Sequence, residues 1–309
     1  MLDLLVPATE ETLHRQAYLL ANPDVAAAGV DPEKHFIENG RRECRSQFNP
    51  EIVDPNSRYR VSKLQRFRRH LNFLTDTNQR GFPVSVGSGH FSLDEYQSES
   101  ANYDFWPFVK EVASNPDKHY LDLGCGLRQR VFDNCLYVEV YPSVTADLVV
   151  PATCVYPIAD ATFDGIGCFA VLEHTRKPWL VVQEIFRMLK PGGKVWIDWP
   201  FLQPIHGYPS HFFNATREGL TSIFEDSGFT VESAETMDHQ GPDHTISWIL
   251  NDFMQALPDS ARERFGKMSV ADLLAQAPRT AFWQSFTGAI DDTARSTIAC
   301  GNVLVASKA

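Results

Sequence analysis

The segment Tyr120-Leu-Asp-Leu-Gly-Cys-Gly126 constrains the fold of this chain more than any other. A short apolar run passes directly into a turn with two glycines. In a strand–turn setting that order brings backbone close to a small ligand, usually one containing a nucleoside. Further apolar runs follow, and the spacing predicts strands near 119–123, 136–140, 146–150, 163–169, 193–199, 228–236 and 298–307. Helical periodicity falls near 105–114, 177–189 and 216–227. This alternation predicts an α/β fold with a doubly wound sheet. Only about nine residues separate Gly126 from the second strand, fewer than the ~10–12 of a crossover with a helix. The first crossover is therefore expected as a short helix or a loop.

The rest of the 309 residues divides around that core. Residues 1–47 are expected as a small helical N-terminal unit, with Asn22 and Asp31 suited to helix N-caps before Pro23 and Pro32. Residues 48–104 read as a linker and a further segment that, by the family resemblance given below, covers the ligand and brings His90, Tyr96 or Tyr103 near it. The linker includes the basic stretch Arg58-Tyr-Arg-Val-Ser-Lys63 with Arg66, Arg68 and Arg69, a solvated helix face or a site for an anionic group. Residues 105–309 form the main domain, with a helical insertion at 243–296 that suits a lid, a substrate wall or an oligomer contact. Its helical stretches are Ile246–Leu257 and Val270–Ala277.

A formal net charge of -11 opposes nucleic-acid binding. No run reaches the ~18–20 apolar residues of a membrane span. The N-terminus lacks a basic region followed by an apolar one, so a cytoplasmic location is expected. Six cysteines without a C-x-x-C pair fit reduced, small buried residues.

The series from the glycine turn through Glu139, Leu172-Glu173-His174 and Lys190-Pro-Gly-Gly193 resembles the class I S-adenosylmethionine-dependent methyltransferases, over roughly 118–236 plus 298–307. The resemblance implies a Rossmann-like, seven-stranded sheet with an antiparallel last strand. It implies S-adenosylmethionine as the cofactor, held by Asp122, Gly124, Cys125, Gly126, Glu139, Thr153, Phe169, Ala170 and Glu173. Glu139 would accept from the ribose hydroxyls. Ala152 stands where relatives carry an acid toward adenine, leaving that contact to Thr153, backbone or water. Gln129 replaces the third glycine of a phosphate-binding loop. Separately, Asn22-Pro-Asp-Val-Ala-Ala-Ala-Gly29 resembles a short helical repeat of bacterial surface-associated and glycosyltransferase proteins.

The loop after the fifth strand, 199–216, is similar to that of a bacterial methyltransferase subgroup. Relatives there carry an acid at the position of His211 and an arginine at that of Asn214. The expected substrate contacts are Tyr208, Phe213 and Asn214. A hydroxyl acceptor must lose a proton, and His206, His174 and His211 are the candidate bases, in that order. His206, His211, Asp238, His239, Asp243 and His244 form no compact ligand pattern, so no metal is expected. The expected activity is O-methylation of a small-molecule or glycan-precursor hydroxyl. The alternatives are N- or C-methylation, or a non-catalytic scaffold that binds the cofactor. A homo-oligomer through the insertion or the N-terminal unit is a further expectation.

Overall fold

The computed structural model describes residues 1–75, 81–87, 103–152, 155–207 and 210–305. Its strands are β1 (Leu2–Asp3), β2 (Leu5–Pro7), β3 (Ser46–Phe48), β4 (Val84–Ser85), β5 (Tyr120–Leu123), β6 (Arg130–Val131), β7 (Cys135–Glu139), β8 (Leu148–Val149), β9 (Phe163–Phe169) and β10 (Leu189–Asp198). Six of them build one sheet in the order β10-β9-β5-β7-β8-β4, and every neighbouring pair is parallel. A parallel sheet is covered on both faces, and every residue of β5 and β7 is buried. Successive side chains alternate between two cores. Leu121, Leu123, Leu136 and Val138 face one, while Tyr120, Cys135 and Tyr137 face the other.

The helix Pro178–Met188 closes the first core with Val181, Val182, Ile185 and Met188. Those positions form a single apolar stripe at helical spacing. The helix Trp106–Ser114 closes the second core with Phe108 and Val112.

The seven-stranded expectation is corrected to six parallel strands among the described residues. Neither 228–236 nor 298–305 pairs with a neighbour, and the sixth strand is β4, from ahead of the main domain. Phe229 and Val231 still pack on the core. Alternating apolar residues report burial of alternate side chains, which an extended segment achieves without a hydrogen-bonded ladder. Val303, Leu304 and Val305 are exposed.

Between Gly126 and β7 there is a loop and no helix. Within it β6 pairs antiparallel with β1, with Leu2 opposite Val131. The N-terminal segment is thereby fastened to the main domain, and Leu4, Ala17, Phe48 and Ile52 share the core of Phe108 and Tyr120. Asp31 caps its helix, accepting from the Glu33 and Lys34 N–H groups. Asn22 holds the N-cap position of the helix Pro23–Ala27 without a side-chain cap bond; its side-chain amide donates instead to the carbonyls of Tyr18 and Ser46.

The basic helix Arg58–Phe67 is solvated on one face only, where Arg58 is exposed. Arg60 and Lys63 are buried and both pair with Asp147, at 2.6 Å each. The insertion forms five helices, Pro242–Ala256, Asp259–Gly266, Val270–Leu274, Ala281–Thr287 and Asp292–Thr297. They enclose a small core of Phe253, Leu257, Phe265, Phe286 and Ile290. No helix of the described residues is long and apolar enough to cross a membrane.

Candidate functional site

The carboxyl ends of β5, β7, β9 and β10 open onto a cavity of about 1210 Å³. Strand order reverses beside β5, since β7 and β9 flank it. Open α/β sheets bind ligands at such a switch point.

Gly124 and Gly126 line one end and both have positive φ, +72° and +56°. A Cβ at Gly124 would stand 2.2 Å from Cγ2 of Val171. Gly124→Ala is therefore expected to cost about 1–3 kcal/mol in overpacking and a further ~1–2 kcal/mol in left-handed backbone. Urea unfolding measures this; a loss under ~1 kcal/mol would mean that Val171 gives way freely.

Glu139, the last residue of β7, ties this turn down. Its Oε2 accepts from Gly126 N–H at 2.7 Å and its Oε1 from Val140 N–H at 2.6 Å. Burial pushes its carboxyl up to about 7 despite those bonds. Each oxygen keeps a second acceptor position, and Glu139 lines the cavity. A buried carboxylate with acceptor capacity to spare, between close-approach glycines and apolar Val138, Val140 and Val150, fits a ribose diol. Ala152 also lines this end, whereas Thr153 lies outside the described residues.

Asp122 and Cys125 stand off this cavity. Arg128 holds the buried Asp122 carboxylate in a two-pronged pair, Nε to Oδ2 at 2.7 Å and Nη2 to Oδ1 at 3.0 Å. Arg128 also donates to the Tyr103 carbonyl at 3.0 Å. Asp122 thus braces the covering segment. Cys125 is buried in the core.

Past β9, Phe169, Ala170 and Glu173 reach the cavity. Ala170 has φ +55°, a left-handed conformation costly for a residue with a Cβ. It turns the chain so that Ala170 N–H donates to the Asp198 carbonyl at 3.0 Å. Phe169 stacks on Phe105 with ring centroids 4.8 Å apart.

The same cavity gathers imidazoles. His174 and His206 line the cavity, with ring centroids 5.5 Å apart. His211 packs behind them, 4.5 Å from His206. Burial pushes His174 down to about 4, helped by His206 and His211, and burial also lowers His211. His174 and His211 are thereby held toward the neutral form. Asn214 does not line the cavity. Its Oδ1 meets His211 Nε2 at 2.6 Å and its amide donates to the Gln203 carbonyl, so it braces the loop. Phe212 lines the cavity where Phe213 was expected to; Phe213 packs on Trp179. Tyr208, His90 and Tyr96 lie outside the described residues.

Two groups in the wall had no sequence signal. Trp248 of the insertion packs 5.0 Å from His206, which makes the insertion a wall of the cavity. At the end of β10, Asp198 accepts from Tyr103 O–H at 2.6 Å and meets His239 Nε2 at 2.8 Å. Gln240 donates to its other oxygen. Tyr103, Asp198 and His239 all line the cavity. Tyr103 is where the covering segment was expected to bring it.

Residues 121–197 match the family described as methyltransferase domain. No curated protein matches the chain. Among similar solved structures is the YcgJ protein of Bacillus subtilis, at 16% identity and TM-score 0.35, covering 52% of this chain and 86% of that one. Another is an S-adenosylmethionine-dependent methyltransferase of Mesorhizobium loti, at 13% identity and TM-score 0.33, covering 46% and 88%. Phosphoethanolamine N-methyltransferase 2 of Haemonchus contortus has 18% identity and TM-score 0.33, covering 59% and 48%. Likenesses at these TM-scores bear on neither substrate nor mechanism. The family match spans β5 to β10, the strands whose carboxyl ends form the cavity, so a methyltransferase domain occupies that part of the chain.

Proposed function

We propose that this enzyme methylates a hydroxyl group of a small molecule or glycan precursor. The carrying observation is one cavity lined both by a glycine turn with Glu139 and by His174, His206 and the Asp198–His239 pair. When bound, S-adenosylmethionine supplies a methyl group already activated on a positively charged sulfur. Gly124, Gly126 and Glu139 hold its nucleoside, and Phe169, Ala170 and Glu173 flank its other half.

A hydroxyl acceptor needs a proton acceptor, which an activated donor does not supply. His206 leads the sequence-based candidates, but its ring packs against two other imidazoles and its Nδ1 is engaged by the Pro204 carbonyl. His239 has a carboxylate on Nε2 instead, which fixes the orientation of its ring. We assign the proton to His239, and contact with the acceptor to His174 and His206, with His211 behind them.

Calorimetry with S-adenosylmethionine tests the donor half. Glu139→Ala should weaken binding by roughly 10- to 100-fold, the worth of a charged hydrogen-bond acceptor. Unchanged affinity would remove Glu139 from the ribose. The same group predicts a pH dependence. The ionised carboxylate is the acceptor form, and it is lost as pH falls through about 7. Donor Kd should therefore rise about tenfold per unit below that value, and Glu139→Gln should flatten the profile. Stability runs the opposite way. A carboxyl raised on folding favours the protonated native state, so its contribution grows as pH falls from about 7 toward the unfolded value.

A further inference from the structure

We infer that Glu173, His174 and His206 form a site for a first-row divalent transition-metal ion whose open position faces the acceptor end of the cavity. This departs from the sequence expectation of no metal. One ligating atom from each residue lies within 4.8 Å of the others, and His174 Nε2 is 3.8 Å from Glu173 Oε1. A tetrahedral or octahedral ion with bonds near 2.1 Å needs about 3.0–3.4 Å between ligands, so small side-chain rotations close the set.

The hydrogen bonding around the imidazoles fixes which nitrogen is available. His174 Nδ1 lies 2.9 Å from the Ser210 carbonyl, and His206 Nδ1 lies 2.9 Å from the Pro204 carbonyl. A carbonyl oxygen only accepts, so each Nδ1 carries the proton and each Nε2 presents a bare lone pair. Imidazoles that bind metals are held in this way, through the ring nitrogen away from the ion. The ring of His174 is further confined by Gly207, where an added Cβ would come 2.4 Å from His174 Cε1.

Glu173 supplies the second, independent observation. Its side chain is fully buried, and neither carboxylate oxygen has a hydrogen-bond partner. A buried polar group left in that state is costly and calls for a missing partner. A divalent ion beside the two imidazoles gives both oxygens the partner they lack.

Two nitrogens and one carboxylate suit zinc, iron, cobalt, nickel or manganese rather than magnesium or calcium, which prefer all-oxygen shells. Ion binding stands independently of the reaction. Its role rests on the methyl-transfer reading: the ion would hold the acceptor oxygen and ease loss of its proton to His239.

Cobalt titration of the full chain, first stripped with a chelator, tests the site. One equivalent of Co²⁺ should give a saturable visible spectrum that Zn²⁺ abolishes and Mg²⁺ does not. Loss of groups that merely support metal ligands costs ~10–100-fold in affinity, so Glu173→Gln and His206→Gln should each weaken Co²⁺ by at least that much. Donor binding by His206→Gln should stay unchanged, which verifies the fold of that variant. The absence of a saturable spectrum overturns the proposal, as does a spectrum that survives both substitutions. Should the variants fail to fold, a Zn²⁺-induced rise in the thermal midpoint of the native chain is expected, and no rise sinks the idea. A chain that binds Co²⁺ but not S-adenosylmethionine would retain this site and lose the methyl-transfer reading.

Discussion

Asp147→Ala should destabilise the protein by about 3–5 kcal/mol, the usual result of removing one partner from a buried ion pair. Asp147 is fully buried at the start of β8 and serves two cations at once. Its Oδ1 pairs with Arg60 and its Oδ2 with Lys63, while Tyr137 N–H donates to Oδ2 at 2.8 Å. Without it Lys63 sheds its charge, since burial already lowers its affinity for a proton. Arg60 has no such route because a guanidinium stays protonated. The carbonyls of Ile52 and Val144, each 2.8 Å from Arg60, and of Ala146, at 3.4 Å, are then its acceptors among the described residues. This network joins the helix Arg58–Phe67 to the central sheet. A loss of that size is a large share of the ~5–15 kcal/mol of a typical domain. Urea unfolding reads the change, and adding Lys63→Met to Asp147→Ala should recover part of it. A cost under ~1 kcal/mol would show that water reaches the cations.

His239→Ala should lower kcat by roughly 10²–10⁴-fold, the range for a positioned general base, with donor affinity nearly unchanged. Asp198→Asn should lower it less, because the imidazole remains and loses only the carboxylate that orients its ring. The two differ in their pH profiles. Asp198→Asn should keep an acidic limb of kcat, since the base is still present. His239→Ala should remove that limb. If His239→Ala turned over at the native rate while His206→Ala did not, the proton would belong to the imidazole cluster instead. A nitrogen or carbon acceptor would show neither dependence.

The donor end was largely legible because its signals are local. A run of apolar residues, two glycines and an acid at the end of the next strand each act through neighbouring backbone. Gly124, Gly126 and Glu139 accordingly line the cavity. Asp122 was misplaced, since Arg128 is six residues away in sequence and no local pattern reveals their pairing. The basic helix was misread for the same reason. Arg60 and Lys63 look like surface residues until Asp147 is brought beneath them.

The acceptor end depended on residues that meet only through packing. Asp198 and His239 are joined by the extended segment after the helix Arg217–Asp226. Glu173 and His206 come from loops after different strands. The sequence by itself determined the alternating α/β order, the glycine turn and the acid at the end of the next strand. These follow from backbone conformation and side-chain periodicity, which act over a few residues. Tertiary structure alone decided that six strands pair rather than seven, that Asp147 pairs with the buried Arg60 and Lys63, and that Glu173 and the histidines converge on one cavity. Those outcomes rest on which distant side chains are desolvated together, and no local spacing encodes that.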